Sequence, residues 1–128
     1  MTEFHSRVFI EALHLEQLRL HGGANGVRDE GALESALHRP LQKEAHEEPD
    51  LCALAAADLF GIVKNHPFVD GNKRTGLAAA DLFLYFNGLS MEAEQHDVIQ
   101  LVLMIAASEI DEAGAAAFFR DHTVPLET

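Results

Sequence analysis

The chain has 128 residues, of which nine are Lys or Arg and 21 are Asp or Glu, a formal net charge of −12. Hydrophobic residues make up 48%, enough for a real core, so one ordered domain over residues 1–128 is expected rather than disorder or two units. So few cations disfavour direct nucleic-acid binding and anionic membrane surfaces, which are held largely through neutralised phosphates, and a single cysteine, Cys52, excludes a disulfide framework and a multi-thiolate zinc site.

Apolar residues in 7–20 fall near helical spacing, with Val8, Ile10, Leu13 and Leu18 among them, and Gly22-Gly23 supplies the stop. Asp29 reads as the N-cap of a short helix that ends before Pro40. Residues 41–50 are polar and acidic and read as a loop or broken turn. Residues 51–65, opened by Asp50, and residues 72–87 are apolar on nearly every side. Helices of that kind must be covered on several faces, so they are expected to form a central antiparallel pair. A fifth helix follows Asp97 and a sixth follows Asp111. No run alternates as a strand does, and Asn87-Gly88 lies between helical flanks, not in a hairpin. The expectation is an all-α, compact bundle of about six helices.

The longest strongly apolar stretch, residues 98–107, is shorter than the ~20 residues of a bilayer crossing. Residues 1–11 lack an apolar run behind a basic start. A reduced, cytoplasmic location is expected. Cys52 reads as an inert core thiol, and His5, His38, His46, His96 and His122 as solvated side chains. His14 and His21 share one helix face and read as core or groove histidines. Asp81 either faces outward or pairs with Arg28 or Arg74.

The two central helices are joined by His66-Pro67-Phe68-Val69-Asp70-Gly71. The helix beginning near Asn72 offers backbone N–H groups without intrahelical partners and the positive end of its dipole. Gly71 lets the backbone approach a ligand. Lys73 and Arg74 put two more positive charges on that end, a conflict that a bound anion removes. Asp70 places one carboxylate beside it, as Mg2+ requires when phosphates supply its other ligands. His66 can take a proton from a hydroxyl near neutral pH. Taken singly, His66 fits a helix-end cap, Asp70 an N-cap, Asn72 a turn residue, and Lys73 and Arg74 solvated cations. Together, within nine residues, they fit transfer of a phosphate-containing group to a hydroxyl.

The run His66-Pro-Phe-Val-Asp-Gly-Asn-Lys-Arg-Thr75 resembles the signature of the Fic/Doc superfamily, H-x-F-x-[D/E]-[G/A]-N-x-R, and within it the Doc, or death-on-curing toxin, branch. The general Fic signature has Gly where Lys73 stands and a second Arg where Leu77 stands. The likeness extends to His14, His21-Gly-Gly, the run from Gly26 through Arg28 and Asp29, and the run from Leu82 to Gly88. The resemblance implies an all-α bundle whose central helices flank the motif loop. It implies a Mg2+-dependent protein kinase that moves the terminal phosphate of ATP to a hydroxyl, with translation elongation factor Tu as target and a Phd-type antitoxin as partner. It assigns His66 as general base, Asp70 as Mg2+ ligand, and Gly71, Asn72, Lys73 and Arg74 to the phosphates. The inhibitory pattern [S/T]-x-x-x-E-[G/N] is not matched; Ser90 with Glu94 comes nearest, but Gln95 follows. Restraint is therefore expected in trans. Residues 40–48 are assigned to a target-docking flap. An AMP transferase of the Fic type and a non-catalytic phosphate-loop module are the alternatives.

Overall fold

The computed structural model describes residues 1–127. Four helices start where a short polar side chain satisfies an orphan amide. Ser6 Oγ accepts from the Phe9 amide to open α1 (Arg7–His21), and Asp29 from the Ala32 amide to open α2 (Glu30–His46). Asp50 accepts from the Ala53 amide at α3 (Leu51–Asn65), and Asp111 from the Gly114 amide at α6 (Glu112–His122). The two others, α4 (Asn72–Phe86) and α5 (Gln95–Ala106), begin without a side-chain cap.

The centre is α3, which packs against α2, α4 and α6. Ala55, Ala56, Ala57 and Leu59 are fully inaccessible. Small residues set the close approaches. Gly61 faces Ala36 of α2, and a Cβ on Gly76 of α4 would lie 3.1 Å from Val63 Cγ2 and 3.4 Å from the Leu59 carbonyl oxygen. Gly76→Val overpacks this crossing and is expected to cost about 1–3 kcal/mol, read as a lowered midpoint in urea unfolding. The second central helix packs against α1, α3, α5 and β1 but keeps one face open. Thr75, Ala79, Ala80 and Phe83 are buried, whereas Lys73, Arg74, Asp81 and Tyr85 are exposed. That open face is what leaves room for a cleft.

Several expectations are corrected here. The second helix does not stop before Pro40 but runs through it to His46. A proline inside a helix costs roughly 3 kcal/mol. The turn beyond it is held by tertiary contacts: Pro40 is buried, and Arg39 and Lys43 reach Glu112 of α6 at 2.5 and 3.0 Å. Residues 40–46 are thus helix rather than loop. Two short strands also form, β1 (Leu89–Met91) and β2 (Thr123–Pro125), antiparallel with Leu89 opposite Pro125. Three-residue strands leave no alternation to detect, and the downstream flank of Asn87-Gly88 is strand rather than helix. Among the described residues no helix is long and apolar enough to cross a membrane.

His5 is not solvated. Its Nε2 donates to the Ala79 carbonyl at 2.7 Å and its ring stacks on Phe9, and burial holds its pKa below the usual range. His122 likewise stacks on Phe118 and bonds its carbonyl. Asp81 faces outward. Cys52 is buried in the core, as expected.

An unforeseen feature is Asp58, 6% exposed within α3, with Oδ2 lacking any partner. Desolvation pushes its carboxyl up to about 8. The unfolded carboxyl titrates near 3.8. Across the window from about pH 4 to 8 the folded state holds a proton that the unfolded chain has released, so this contribution is fully present below that window and lost as pH rises through it. Asp58→Asn removes the term. Calorimetry is expected to find a flatter Tm between pH 5 and pH 8 in the variant than in the wild type.

Candidate functional site

The α3–α4 junction is built outward from Phe68, which is 1% exposed and anchors the loop in the second core cluster beside Ile10, Leu33 and Ile62. The ring of His14, on α1, stacks on it at 3.8 Å and 7°. Nε2 of His14 donates to the Asp70 carbonyl at 2.8 Å. His14 is therefore a buried clamp on the loop, one of the two roles its position allowed. His21 is exposed.

The connection between α1 and α2 lies along the same loop. Val27 and Phe68 form an isolated antiparallel bridge, Arg28 and Asp29 donate their amides to the Pro67 carbonyl, and Val69 donates to Gly26. Arg28 also closes the end of α3. Its Nε donates to the His66 carbonyl at 2.6 Å and its Nη2 to the Asn65 carbonyl at 3.0 Å. These are orphan helix-end acceptors, and the bonds hold His66 in the left-handed conformation (φ 52°, ψ 54°) that a non-glycine residue seldom adopts. Arg28 is a positioning residue that motif spacing alone did not single out. Its backbone-only partners leave no charge pattern to read in the sequence.

Asn72 is 3% exposed and is committed inward. Its Oδ1 accepts from the Phe68 amide at 2.9 Å while Nδ2 donates to the Phe68 carbonyl at 2.9 Å. That pairing fixes the amide's orientation. The remaining N–H of Nδ2 points at His66 Nδ1, 3.1 Å away. The neutral imidazole so held has its lone pair on Nδ1 and its proton on Nε2.

Asp70 does not cap α4. The N-cap is Gly71, at φ 78°, with no side-chain hydrogen bond. Asp70 Oδ1 accepts from the Gly71 amide at 3.0 Å, and Oδ2 from the Ala24 amide at 3.3 Å. Gly23 makes this approach possible: a Cβ there would stand 2.9 Å from Leu18 Cδ2 and 3.0 Å from Asp70 Oδ2. The first intrahelical bond of α4 runs from the Thr75 amide to the Gly71 carbonyl. The first-turn amides, flanked by Lys73 and Arg74, carry no side-chain acceptor.

All six residues singled out from the sequence line one cleft of about 390 Å³: His66, Asp70, Gly71, Asn72, Lys73 and Arg74. Its far wall was not foreseen. It consists of Leu77 from α4 and Ile99, Val102 and Leu103 from α5. Periodicity identifies these residues as apolar helix positions but not which helix faces the loop.

The charge distribution sharpens the picture. Of nine Lys and Arg, Arg7, Arg19, Arg39, Lys43 and Arg120 pair with carboxylates. Among the described residues, the four cations without a carboxylate partner are Arg28, Lys64, Lys73 and Arg74. Arg28, from the α1–α2 connection, is spent on the carbonyls of Asn65 and His66, Lys64 near the end of α3 bonds Ser108 Oγ, and Lys73 and Arg74 stand in the first turn of α4. A chain of charge −12 thus places two cations without a carboxylate partner in the cleft, beside an uncapped helix N-terminus. That combination suits an anion of several charges. No cluster of three or more metal-ligating side chains occurs among the described residues. A caged metal does not fit. An ion that takes one carboxylate from Asp70 and its other ligands from phosphate and water does.

Comparison with known proteins agrees in outline. A family model described as the Fic/DOC family matches residues 4–84. Over 75 residues the chain is 44% identical to "Toxin Doc" of Mycolicibacterium smegmatis, covering 57% of this chain and 58% of that protein. Over 110 residues it is 34% identical to "Protein kinase doc" of Escherichia phage P1, covering 85% of this chain and 86% of that protein.

Proposed function

Because the chain belongs to the Fic/Doc family, we propose that it is a Doc-type toxin that transfers the terminal phosphate of ATP to a hydroxyl of a protein target. The observation that carries this reading is the pair of cations without a carboxylate partner, Lys73 and Arg74, in the uncapped first turn of α4, with His66 in the same cleft. Lys73 and Leu77 favour phosphoryl over AMP transfer. Lysine fills space that a glycine would leave for a diphosphate to lie along the backbone, and leucine removes a cation from the distal phosphate. The phage relative is itself named a protein kinase.

The chain's residues would act as follows. The amides of the first turn of α4 bind the phosphate oxygens, and Lys73 and Arg74 stabilise the charge that moves during transfer. Asp70, steadied by the Gly71 and Ala24 amides, holds Mg2+, which neutralises phosphate charge when bound. The hydroxyl oxygen of the target attacks the terminal phosphorus, the bond from that phosphorus to the bridging oxygen breaks, and ADP leaves. The hydroxyl proton passes to His66 at Nδ1, the nitrogen that carries the lone pair in the neutral ring. The 3.1 Å contact with Asn72 is exchanged for the hydroxyl when the target arrives.

The target we favour is translation elongation factor Tu, modified on a threonine in the cytoplasm, so that translation stops. An antitoxin of the Phd type would restrain the enzyme in trans, its basic or amphipathic tail suiting the acidic surface. The test is incubation of the protein with Mg2+ and a cell extract, using ATP labelled on the terminal phosphate in one arm and on the α-phosphate in the other. Label from the terminal phosphate on a protein of the size of elongation factor Tu is the expected result. Label from the α-phosphate would establish AMP transfer instead, and no label in either arm would refute the enzyme.

A further inference from the structure

The cleft has two chemically different ends. Its polar end is the junction already described. Its other end is Leu77, Ile99, Val102 and Leu103. None of these side chains carries a hydrogen-bond donor or acceptor. All four stand inside helices, Leu77 in Asn72–Phe86 and the rest in Gln95–Ala106, where backbone N–H and C=O groups are spent on i to i−4 bonds. The wall is therefore without directional groups of any kind. It is also open: Ile99 and Leu103 are 44% and 45% exposed. At about 390 Å³ the cleft falls in the size range of small-molecule sites. A triphosphate held at the α4 N-terminus has this wall as its continuation within the cleft.

We propose that the nucleoside end of the donor rests on this wall by apolar contact alone, and that the enzyme accepts ATP, GTP, CTP and UTP without reading the base. This rests on the reading of the cleft as a nucleoside triphosphate site. A site that hydrogen-bonds its substrate rejects the wrong analogue by about 10⁴–10⁵-fold, whereas apolar contact discriminates by roughly 10–200-fold. The purine rings cover more of the wall than the pyrimidines, so the order ATP and GTP over CTP and UTP is expected, with a spread below about 10²-fold.

The test uses the full chain in two measurements. The first is displacement of a fluorescent ATP analogue by each of the four triphosphates. The second is transfer of label from each of them to the target. Comparable displacement and kcat/KM values within that spread support the proposal. A preference for one base beyond about 10²-fold overturns it while leaving the triphosphate site standing. Failure of every nucleotide to bind removes the parent reading and the proposal together, so the two failures are distinguishable. The double variant Ile99→Ala with Leu103→Ala supplies a further check. It is expected to raise KM severalfold for all four nucleotides alike and to leave binding of inorganic triphosphate unchanged. A rise in KM for the target protein with no change for the nucleotides would mean that the wall docks the target, and would overturn the proposal.

Discussion

Replacement of His66 by alanine is expected to lower the rate of phosphoryl transfer by at least about 10²-fold and to leave the fold in place. The two halves of this expectation have separate physical origins. Catalysis is lost because no other imidazole or carboxylate lines the cleft except Asp70, whose two oxygens accept from the Gly71 and Ala24 amides. The fold survives because the His66 side chain is exposed and its only side-chain bond among the described residues is the 3.1 Å contact with Asn72. The backbone at this position is held by Arg28 through the carbonyls of residues 65 and 66, which alanine does not disturb. Transfer of label measured beside thermal unfolding separates the two. A His66→Ala protein that transfers phosphate at the wild-type rate would remove the imidazole from the chemistry.

Asn72→Ala is expected to damage both stability and activity. Asn72 is buried and pairs with both the amide and the carbonyl of Phe68. Removing it strands one buried donor and one buried acceptor, each at about 1–3 kcal/mol, so a loss of roughly 2–6 kcal/mol in urea unfolding follows. The loop that carries Asp70 and Gly71 then loses its buried brace at Phe68, and His66 loses the group that fixes its tautomer. Activity is expected to fall in kcat and KM together, since Gly71 and Asn72 also open the phosphate-binding turn of α4. Asn72→Asp is an informative companion. A carboxylate still accepts from the Phe68 amide but faces the Phe68 carbonyl with a second acceptor, so it is expected to rescue neither quantity. Full rescue by aspartate would show that the amide's two-sided pairing is not what matters.

Much of this arrangement was legible from residue order. The helix starts at Asp29, Asp50 and Asp111 follow from local capping chemistry that the chain carries within three residues. The junction was legible because its polar groups are dense in a segment between two apolar helices. What escaped detection depends on distance in sequence. Pro40 reads as a stop, yet Glu112, more than seventy residues away, holds Arg39 and the helix continues. His14 and Arg28 act on the loop from 56 and 38 residues upstream, through backbone carbonyls that have no residue identity. The apolar wall of the cleft comes from α5, whose pairing with α4 is set by packing and not by any local pattern. Asp58 carries no local signal within its apolar helix. Only its neighbours in space reveal that all sides are closed.

The central claim is that a triphosphate sits on the first turn of α4, between the cations that no carboxylate neutralises. The most direct measurement is the shift of individual backbone amides in two-dimensional NMR as ATP and Mg2+ are added to the labelled protein. The account predicts that Gly71, Asn72, Lys73 and Arg74 move first and furthest, and that Lys73→Ala with Arg74→Ala abolishes the response. Saturable shifts confined to another surface, with these four amides unmoved, would contradict it.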